Sequence, residues 1–131
     1  NRVESGEHIQ ILAEANLDRL PDCETSRYVR GCAGFSGFAA GSFERERLKA
    51  FSQTMGEILG GKWSAWGTEQ FASNFMVSNS PKAVVLPHPK YCHPGRERPG
   101  TVFLHFIGYV RFNTDRYARA ARETCLALGG A

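Results

Sequence analysis

The fold of this chain depends first on residues 42–61, which read SFERERLKAFSQTMGEILGG. Ser42 can cap a helix here, and the pair Gly60-Gly61 can end it. Between them, apolar side chains recur at the spacing of one helix face: Leu48, Phe51, Met55, Ile58 and Leu59. The stretch therefore predicts an amphipathic helix that packs its apolar face against a core.

Helices and strands alternate on either side of this segment. Before it, residues 4–20 predict a helix, and the glycine-rich residues 31–41 predict a strand over 35–40. The glycines of that strand would let another group approach the backbone closely. After the central helix, Thr68 can cap a further helix over residues 69–78.

The remainder of the chain predicts two more strands and a last helix. Residues 83–86 and 101–108 are short hydrophobic runs typical of buried strands, and the proline-rich residues 87–100 between them predict a loop. Asn113 or Thr114 can cap a helix that ends near residue 128. The pattern as a whole predicts an α/β chain with a mixed sheet flanked by helices.

Composition sets the broad class of the protein. The chain has 131 residues, 42% of them hydrophobic, and a net charge of +3, which are values typical of one globular domain. Its basic residues are scattered, so nucleic-acid binding is not expected, and no apolar run is long enough to cross a bilayer. Four separated cysteines without a C-x-x-C pair favour reduced thiols and a cytoplasmic location.

Three local patterns carry the candidate chemistry, and each also has a structural interpretation. The segment from Gly34 to Phe38 could be a small-residue strand that merely packs under a helix. The segment from Gly67 to Asn74 places an acid and an amide in the first helical turn, which could simply complement the helix dipole. His105, on a hydrophobic run, could be an ordinary core histidine.

In order and approximate spacing, the three patterns resemble family 8 glycosyltransferases of the glycogenin and bacterial galactosyltransferase type. Those enzymes carry a Phe-Asn-x-Gly strand, an Asp-Gln-x-x-x-Asn helix start and a late His-x-x-Gly-x-x-Lys motif. The counterparts in this chain, in the same order, are the following residues: Phe35, Ser36 and Gly37, then Glu69, Gln70 and Asn74, then His105, Gly108 and Arg111. The resemblance spans residues 28–113 and implies a GT-A fold.

The resemblance implies a role for each matching position. His105 would be a ligand of a divalent cation, usually manganese, and Gly108 would let the donor diphosphate approach the backbone. Arg111 would neutralise that diphosphate where the family has lysine. Gln70 would lie at the reaction centre, by the reactive carbon of the sugar, and Glu69 would contact the transferred sugar or orient the acceptor.

The other matching positions, Ser36, Gly37 and Asn74, would bind substrate. The implied reaction is metal-dependent transfer of a hexose from a nucleotide sugar, expected to be a uridine diphosphate sugar, to an unknown acceptor with retention of configuration. The Asp-x-Asp motif that completes the family's metal site does not occur in residues 1–131. The chain is therefore expected to be the C-terminal part of a larger GT-A catalytic domain from a bacterium, and to be inactive by itself.

The sequence is also compatible with other functions. The main one is a non-catalytic α/β interaction module, or an inactive remnant of a glycosyltransferase, in which the same residues only pack. His88, Cys92 and His93 could suggest zinc, although their spacing fits no common zinc pairing. The arginines of the last helix could allow peripheral contact with a membrane surface.

Overall fold

The computed structural model describes residues 8–42 and 44–129. Within those ranges the chain forms α1 (Ile9–Glu14), α2 (Arg45–Leu59), α3 (Thr68–Ser78), β1 (Tyr91–Cys92), β2 (Phe103–Leu104) and α4 (Arg116–Gly129). Short 3₁₀ helices occupy Leu17–Arg19, Ala33–Phe35, Gly60–Ser64 and Gly108–Arg111. The chain divides into two compact units, one ending at Val84 and the other beginning at Val85.

The first unit is helical and contains the main core. Helices α1, α2 and α3 contact one another, and the apolar face predicted for α2 faces inward, with Phe51 and Met55 buried. The buried side chains of this core are contributed by all three helices and their connections: Ile9, Ala13, Leu20, Phe51, Met55, Trp63, Phe71, Phe75 and Met76. The prediction of an amphipathic central helix is therefore confirmed.

Aromatic rings form the centre of that core. The Phe51 ring stacks on the Phe75 ring with centroids 4.3 Å apart, and it meets the edge of Trp63 at 5.9 Å. Phe71 has no exposed surface and lies against Phe51, Trp63 and Tyr28. Offset stacked and edge-to-face pairs of this kind add stability beyond the area that they bury.

Two predicted helix starts are wrong because side chains bond elsewhere. The Ser42 hydroxyl donates to the Ala39 carbonyl at 2.7 Å, and α2 begins after Glu44 instead. Thr68 is the first residue of α3, not its cap, because its hydroxyl donates to the carbonyls of Trp63 and Ala65. Hydroxyl groups often take such local backbone partners in place of a capping role. The predicted ends of α2 and α3 are confirmed.

The predicted first helix is shorter than expected. Helix α1 ends at Glu14, and a separate 3₁₀ helix follows at Leu17–Arg19. The Asn16 side chain donates to the Leu12 carbonyl at 2.8 Å, which offers the backbone an alternative to continuing the helix. Residues 4–7 of the predicted helix lie outside the described residues.

The predicted strand over residues 35–40 does not form. Ala33–Phe35 is a 3₁₀ helix that contacts α3, and the extended chain before it pairs with side chains of that helix. Asn79 bonds both the N–H and the carbonyl of Arg27, at 2.8 and 2.9 Å, and Ser78 accepts from the Val29 N–H at 2.9 Å. These contacts hold residues 27–29, which precede the predicted strand, and residues 36–40 belong to no strand of the described chain.

The second unit holds the sheet. Strands β1 and β2 run parallel, with Tyr91 opposite Phe103 and Cys92 opposite Leu104. The chain therefore combines helices with parallel strands, as the α/β prediction required, but the described sheet has two strands of one direction and is not mixed. Residues 83–86 form no strand in the structure, and Val84 and Val85 are exposed.

The last helix begins close to its predicted position. The predicted cap at Asn113 or Thr114 is slightly too early, because α4 begins at Arg116 and Asp115 directly precedes it; Thr114 Oγ1 still accepts a hydrogen bond from the Arg116 N–H at 3.3 Å. The helix continues to Gly129, near the expected end. Among the helices of residues 8–42 and 44–129, none has the length and apolar content needed to cross a bilayer.

Gly67 offers a test of how the first unit is assembled. Its φ is +102°, and a Cβ at this position would lie 3.1 Å from Ile9 Cγ2 and 3.2 Å from His8 Cε1. We expect Gly67→Ala to lower the free energy of unfolding by about 1–3 kcal/mol, because it combines backbone strain with a steric clash. Urea denaturation measures this change. Gly61→Ala is the control, since a Cβ there meets nothing within 4 Å; a loss in both variants alike would contradict the explanation.

Candidate functional site

Two predicted site residues, Gln70 and Asn74, lie one turn apart on α3 and share a set of polar contacts. Gln70 Nε2 donates to Gln10 Oε1 at 2.7 Å, and Gln10 Nε2 donates to the Tyr28 hydroxyl at 3.4 Å. Asn74 and Glu14 also interact with the Tyr28 hydroxyl, since both influence its pKa. We call Gln10, Glu14, Tyr28, Gln70 and Asn74 the amide network.

Two of the five members of the amide network are buried, and the other three are half-buried. Gln10 is 4% exposed, as is Asn74, and Tyr28 is half-buried against the ring of Phe71. Buried amides are costly unless hydrogen-bonded, and both Gln10 and Asn74 have partners. The network therefore holds the half-buried Gln70 side chain in a defined position.

One end of the network is charged. Burial disfavours ionisation of Glu14, but hydrogen bonds from Arg30 and Tyr28 outweigh it and hold the pKa of this carboxyl below its ordinary value. Arg30 Nε donates to Glu14 Oε1 at 2.8 Å, and the second guanidinium nitrogen contacts the other carboxylate oxygen. Burial and the neighbouring Glu14 carboxylate raise the pKa of the Tyr28 phenol, so this group stays protonated near neutral pH.

Asn74 fixes the glycine-rich segment to α3. Its Nδ2 donates to the Gly31 carbonyl at 3.1 Å, and a Cβ on Gly31 would lie 3.1 Å from Asn74 Oδ1. The close approach that the glycines were expected to permit is thus made, at Gly31, by a side chain of the protein. Asn74 has a structural partner in addition to its contact with Tyr28.

Glu69 is exposed and lies outside the amide network. Its Oε2 accepts a hydrogen bond from the Gly67 N–H at 3.1 Å, just before the first turn of α3. A carboxylate at this end of a helix satisfies a free N–H group and interacts favourably with the helix dipole. This contact corresponds to the structural interpretation that the sequence also offered for Glu69.

Ser36 and Gly37 follow the 3₁₀ helix of the glycine-rich segment. The Ser36 hydroxyl donates to the Cys32 carbonyl at 3.2 Å, and Gly37 is exposed with nothing within 4 Å of the position of a Cβ. Neither residue is part of the amide network. Gly37 leaves room for a ligand next to the backbone.

In the second unit, His105 lies directly after β2. Its backbone N–H donates to the Cys92 carbonyl at 2.8 Å, and its ring is roughly parallel to that of Phe103. Burial, together with the nearby charge of His93, holds the pKa of the His105 imidazole below its ordinary value. The ring is therefore neutral at pH 7, which is the state in which imidazole binds a metal.

Gly108 and Arg111 begin and end one 3₁₀ turn. Gly108 has φ +48°, in the left-handed region that favours glycine, and a Cβ there would meet nothing within 4 Å. Arg111 Nε donates to the Gly108 carbonyl at 3.2 Å, and its guanidinium lies 5.4 Å from the centre of the Phe112 ring. The turn places an exposed cation beside a glycine backbone with open space around it.

The second unit contains one side chain that is well suited to bind a metal ion, the neutral imidazole of His105. Within residues 8–42 and 44–129, no three side chains of the His, Cys, Asp and Glu types converge closely enough to hold a metal ion. The remaining ligands of a metal site at His105 would have to come from outside residues 8–42 and 44–129.

The structure therefore brings four of the eight candidate residues together, as one pair in each compact unit, and the other four, Ser36, Gly37, Glu69 and His105, belong to neither pair. Gln70 and Asn74 meet through the amide network, and Gly108 and Arg111 meet within one turn. Gln10 was not predicted as a candidate site residue. It precedes Ala13 by three residues and Leu17 by seven, so it lies on the predicted apolar face of the first helix. A polar residue at such a position could have been predicted to be buried.

Comparison of the chain with protein-family models, with curated proteins and with solved structures finds no match.

Proposed function

We propose that this chain is part of a glycosyltransferase of GT-A fold. The enzyme would transfer a hexose from a nucleotide sugar, specifically a uridine diphosphate sugar, to an acceptor with retention of configuration. The ordered motifs of the sequence support this proposal. Two further observations support it: Gln70 and Asn74 share the amide network, and Gly108 and Arg111 share one turn.

The turn Gly108–Arg111 is the observation that carries the proposal. A departing nucleoside diphosphate gains negative charge, and donors fixed in advance beside it stabilise that charge. Arg111 supplies a guanidinium that is already folded over its own turn, at 3.2 Å from the Gly108 carbonyl. Gly108 supplies backbone that a diphosphate can reach, because no side chain covers it.

His105 would contribute one ligand to a divalent cation, manganese in the proposal. The neutral imidazole suits that role, and the site would be completed by carboxylates outside the described residues. When bound, such a cation neutralises phosphate charge as a Lewis acid. This chain's own contribution is to hold the His105 ring, through its backbone bond to Cys92 and its contact with Phe103.

A non-catalytic interaction module is the second candidate, and two contacts favour it. Glu69 caps its own helix through the Gly67 N–H, and Asn74 holds the Gly31 carbonyl. Both residues therefore have structural tasks that need no substrate. This candidate requires that no nucleotide binds.

Nucleotide binding separates the two candidates. We expect uridine diphosphate with manganese to raise the melting temperature of the complete gene product, since a ligand that binds only the folded state stabilises it. Uridine diphosphate without the metal should have a smaller effect, and uridine alone should have none. Equal melting temperatures under all conditions would favour the interaction module.

Arg111→Ala provides a sharper test at the diphosphate. We expect the apparent affinity for the donor to fall by about 10–100-fold, because a charge-assisted hydrogen bond is lost. Arg111→Lys, which restores the residue of the resembled family, should recover part of that loss. Arg122→Ala, on the exposed face of α4, is the matched control. An unchanged donor affinity in Arg111→Ala, measured by isothermal titration, would contradict the assignment.

A further inference from the structure

The positive charge of the chain is concentrated in the second unit. Residues 85–131 contain seven Lys and Arg residues against three Asp and Glu residues, whereas residues 2–84 contain nine against ten. Along the whole sequence the basic residues are scattered, which is why composition does not predict nucleic-acid binding. The division of the fold assigns the positive excess to one unit, and such an asymmetry favours an anionic partner for that unit.

The acidic residues of the second unit lie on α4 or pair with it. Glu97 and Asp115 each form an ion pair with an arginine of that helix, and Glu123 is one of its own residues. Lys90 and Arg98 are exposed, and neither forms an ion pair within residues 8–42 and 44–129. These two cations can therefore meet an external anion.

A row of aromatic rings lies on the strand pair. Tyr91 is opposite Phe103, with ring centroids 6.5 Å apart, and the His105 ring lies 6.4 Å from Phe103 with the planes at 24°. Side chains two positions apart along extended backbone point to the same face. Phe103 is 38% exposed and the other two residues are half-buried. We call Tyr91, Phe103 and His105 the aromatic row.

The two cations are located at the beginning of the aromatic row. Lys90 directly precedes Tyr91, and its Nζ lies 5.9 Å from the centre of that ring. Thr101 holds Arg98 at the same end of the strand pair, since its Oγ1 donates to the Pro89 carbonyl at 2.8 Å and accepts from the Arg98 N–H at 3.0 Å. The fold therefore combines partly exposed rings with two exposed cations.

This combination matches the chemistry of single-stranded nucleic acid. Such strands bind to proteins by stacking bases on aromatic rings while basic side chains contact the phosphates. Ring centroids 6.5 Å apart are roughly twice as distant as the bases of a duplex, which rise by about 3.4 Å. The row therefore suits bases that are separated from one another, and a duplex would not offer its base faces. An anionic bilayer would use the charge but not the rings.

We infer that Lys90, Tyr91, Arg98, Phe103 and His105 form a surface that binds single-stranded nucleic acid. Bases stack on the aromatic row, and Lys90 and Arg98 contact the phosphates. Binding should tolerate many sequences, because every base has a face that can stack. The inference does not rest on the proposed function, and the variants below change no residue that the proposed function uses.

Fluorescence anisotropy tests the surface in the complete gene product. The probes are fluorescein-labelled oligothymidylate and oligouridylate of about 15 nucleotides, a length that covers a typical site. We expect a saturable rise in anisotropy with both probes. Two phosphate contacts predict a slope of roughly −1.4 for log affinity against log salt, so the affinity should fall about sevenfold between roughly 50 and 200 mM salt.

Matched variants test the rings and the cations separately. Phe103→Leu should weaken binding by about five- to a hundredfold, because base stacking on the ring is lost. Phe38→Leu, at a ring of similar exposure (41%) in the first unit, should have no effect. Lys90→Ala should weaken binding and reduce the magnitude of the salt slope by about 0.7. Lys49→Ala removes an exposed lysine of α2 and should leave the slope unchanged.

Several results would overturn the inference. One is the absence of an anisotropy change with either probe, and another is equal loss in Lys90→Ala and Lys49→Ala, which would indicate attraction to net charge alone. Tighter binding to a DNA duplex of the same length, or to phosphatidylserine vesicles, would also contradict it. Urea midpoints report whether Phe103→Leu folds; if it does not, the two lysine variants decide, since both side chains are exposed.

Discussion

His105→Ala is expected to abolish manganese-dependent turnover by the complete gene product, with a loss of more than about 100-fold. Changing a group that only supports a metal ligand typically costs about 10–100-fold, so removing the ligand itself should cost at least as much. The measurement is release of uridine diphosphate from a panel of uridine diphosphate hexoses at saturating manganese. Turnover equal to that of the native enzyme would contradict the metal assignment.

The His105→Ala substitution is expected to leave the backbone of the strand pair unchanged. The backbone N–H of His105 donates to the Cys92 carbonyl of β1, and alanine retains that hydrogen bond although it removes the ring contact with Phe103. The β1–β2 pairing should therefore survive. His88→Gln, which removes an exposed imidazole from the same unit, is the control and should retain turnover. A manganese titration that shows the same loss in both variants would point to a general effect on the unit.

Phe71→Ala is expected to lower the free energy of unfolding of the first unit by about 3–5 kcal/mol. Phe71 has no exposed surface, and its ring lies 4.9 Å from Tyr28, 6.1 Å from Phe51 and 6.1 Å from Trp63. Truncation removes buried apolar area and leaves a cavity at the centre of the aromatic core. Such a loss is a large part of the total stability of a small domain.

Urea denaturation followed by tryptophan fluorescence measures the effect. The signal is informative because Trp63 is buried against Phe71 and becomes exposed when the core opens. Phe112→Ala removes the same number of atoms from a ring that is 78% exposed, and it should change stability by less than about 0.5 kcal/mol. A shift of the midpoint by the same amount in the two variants would show that Phe71 is not central to the core.

The helices of the first unit could be predicted from the sequence because their signals are local. The apolar spacing along residues 48–59 and the glycines that follow determine both the face and the end of α2. The strands could not be predicted in the same way, because a strand needs a partner elsewhere in the chain. The strands predicted over residues 35–40 and 83–86 do not form, and of the strand predicted over 101–108 only Phe103–Leu104 is paired, with Tyr91–Cys92 of the predicted loop.

The candidate site shows the same division. The turn from Gly108 to Arg111 is local, since the two residues are three positions apart and lie in one 3₁₀ helix. The amide network joins α1 to α3 across 60 positions, from Gln10 to Gln70, and no short motif could reveal it. Glu69 shows the opposite case, in which a local signal had two meanings and the contact made by the side chain corresponds to the structural one.

The direction of the hydrogen bonds in the amide network has an electronic consequence. Gln70 donates from Nε2 to Gln10, and Gln10 donates in turn from Nε2 to Tyr28. An amide that donates in such a chain is polarised, since hydrogen bonds in series strengthen one another. Electron density therefore moves toward the Gln70 carbonyl oxygen. If the chain is the glycosyltransferase proposed above, with Gln70 beside the sugar, such an oxygen would stabilise the positive charge that develops on the sugar carbon as the leaving group departs, without forming a bond.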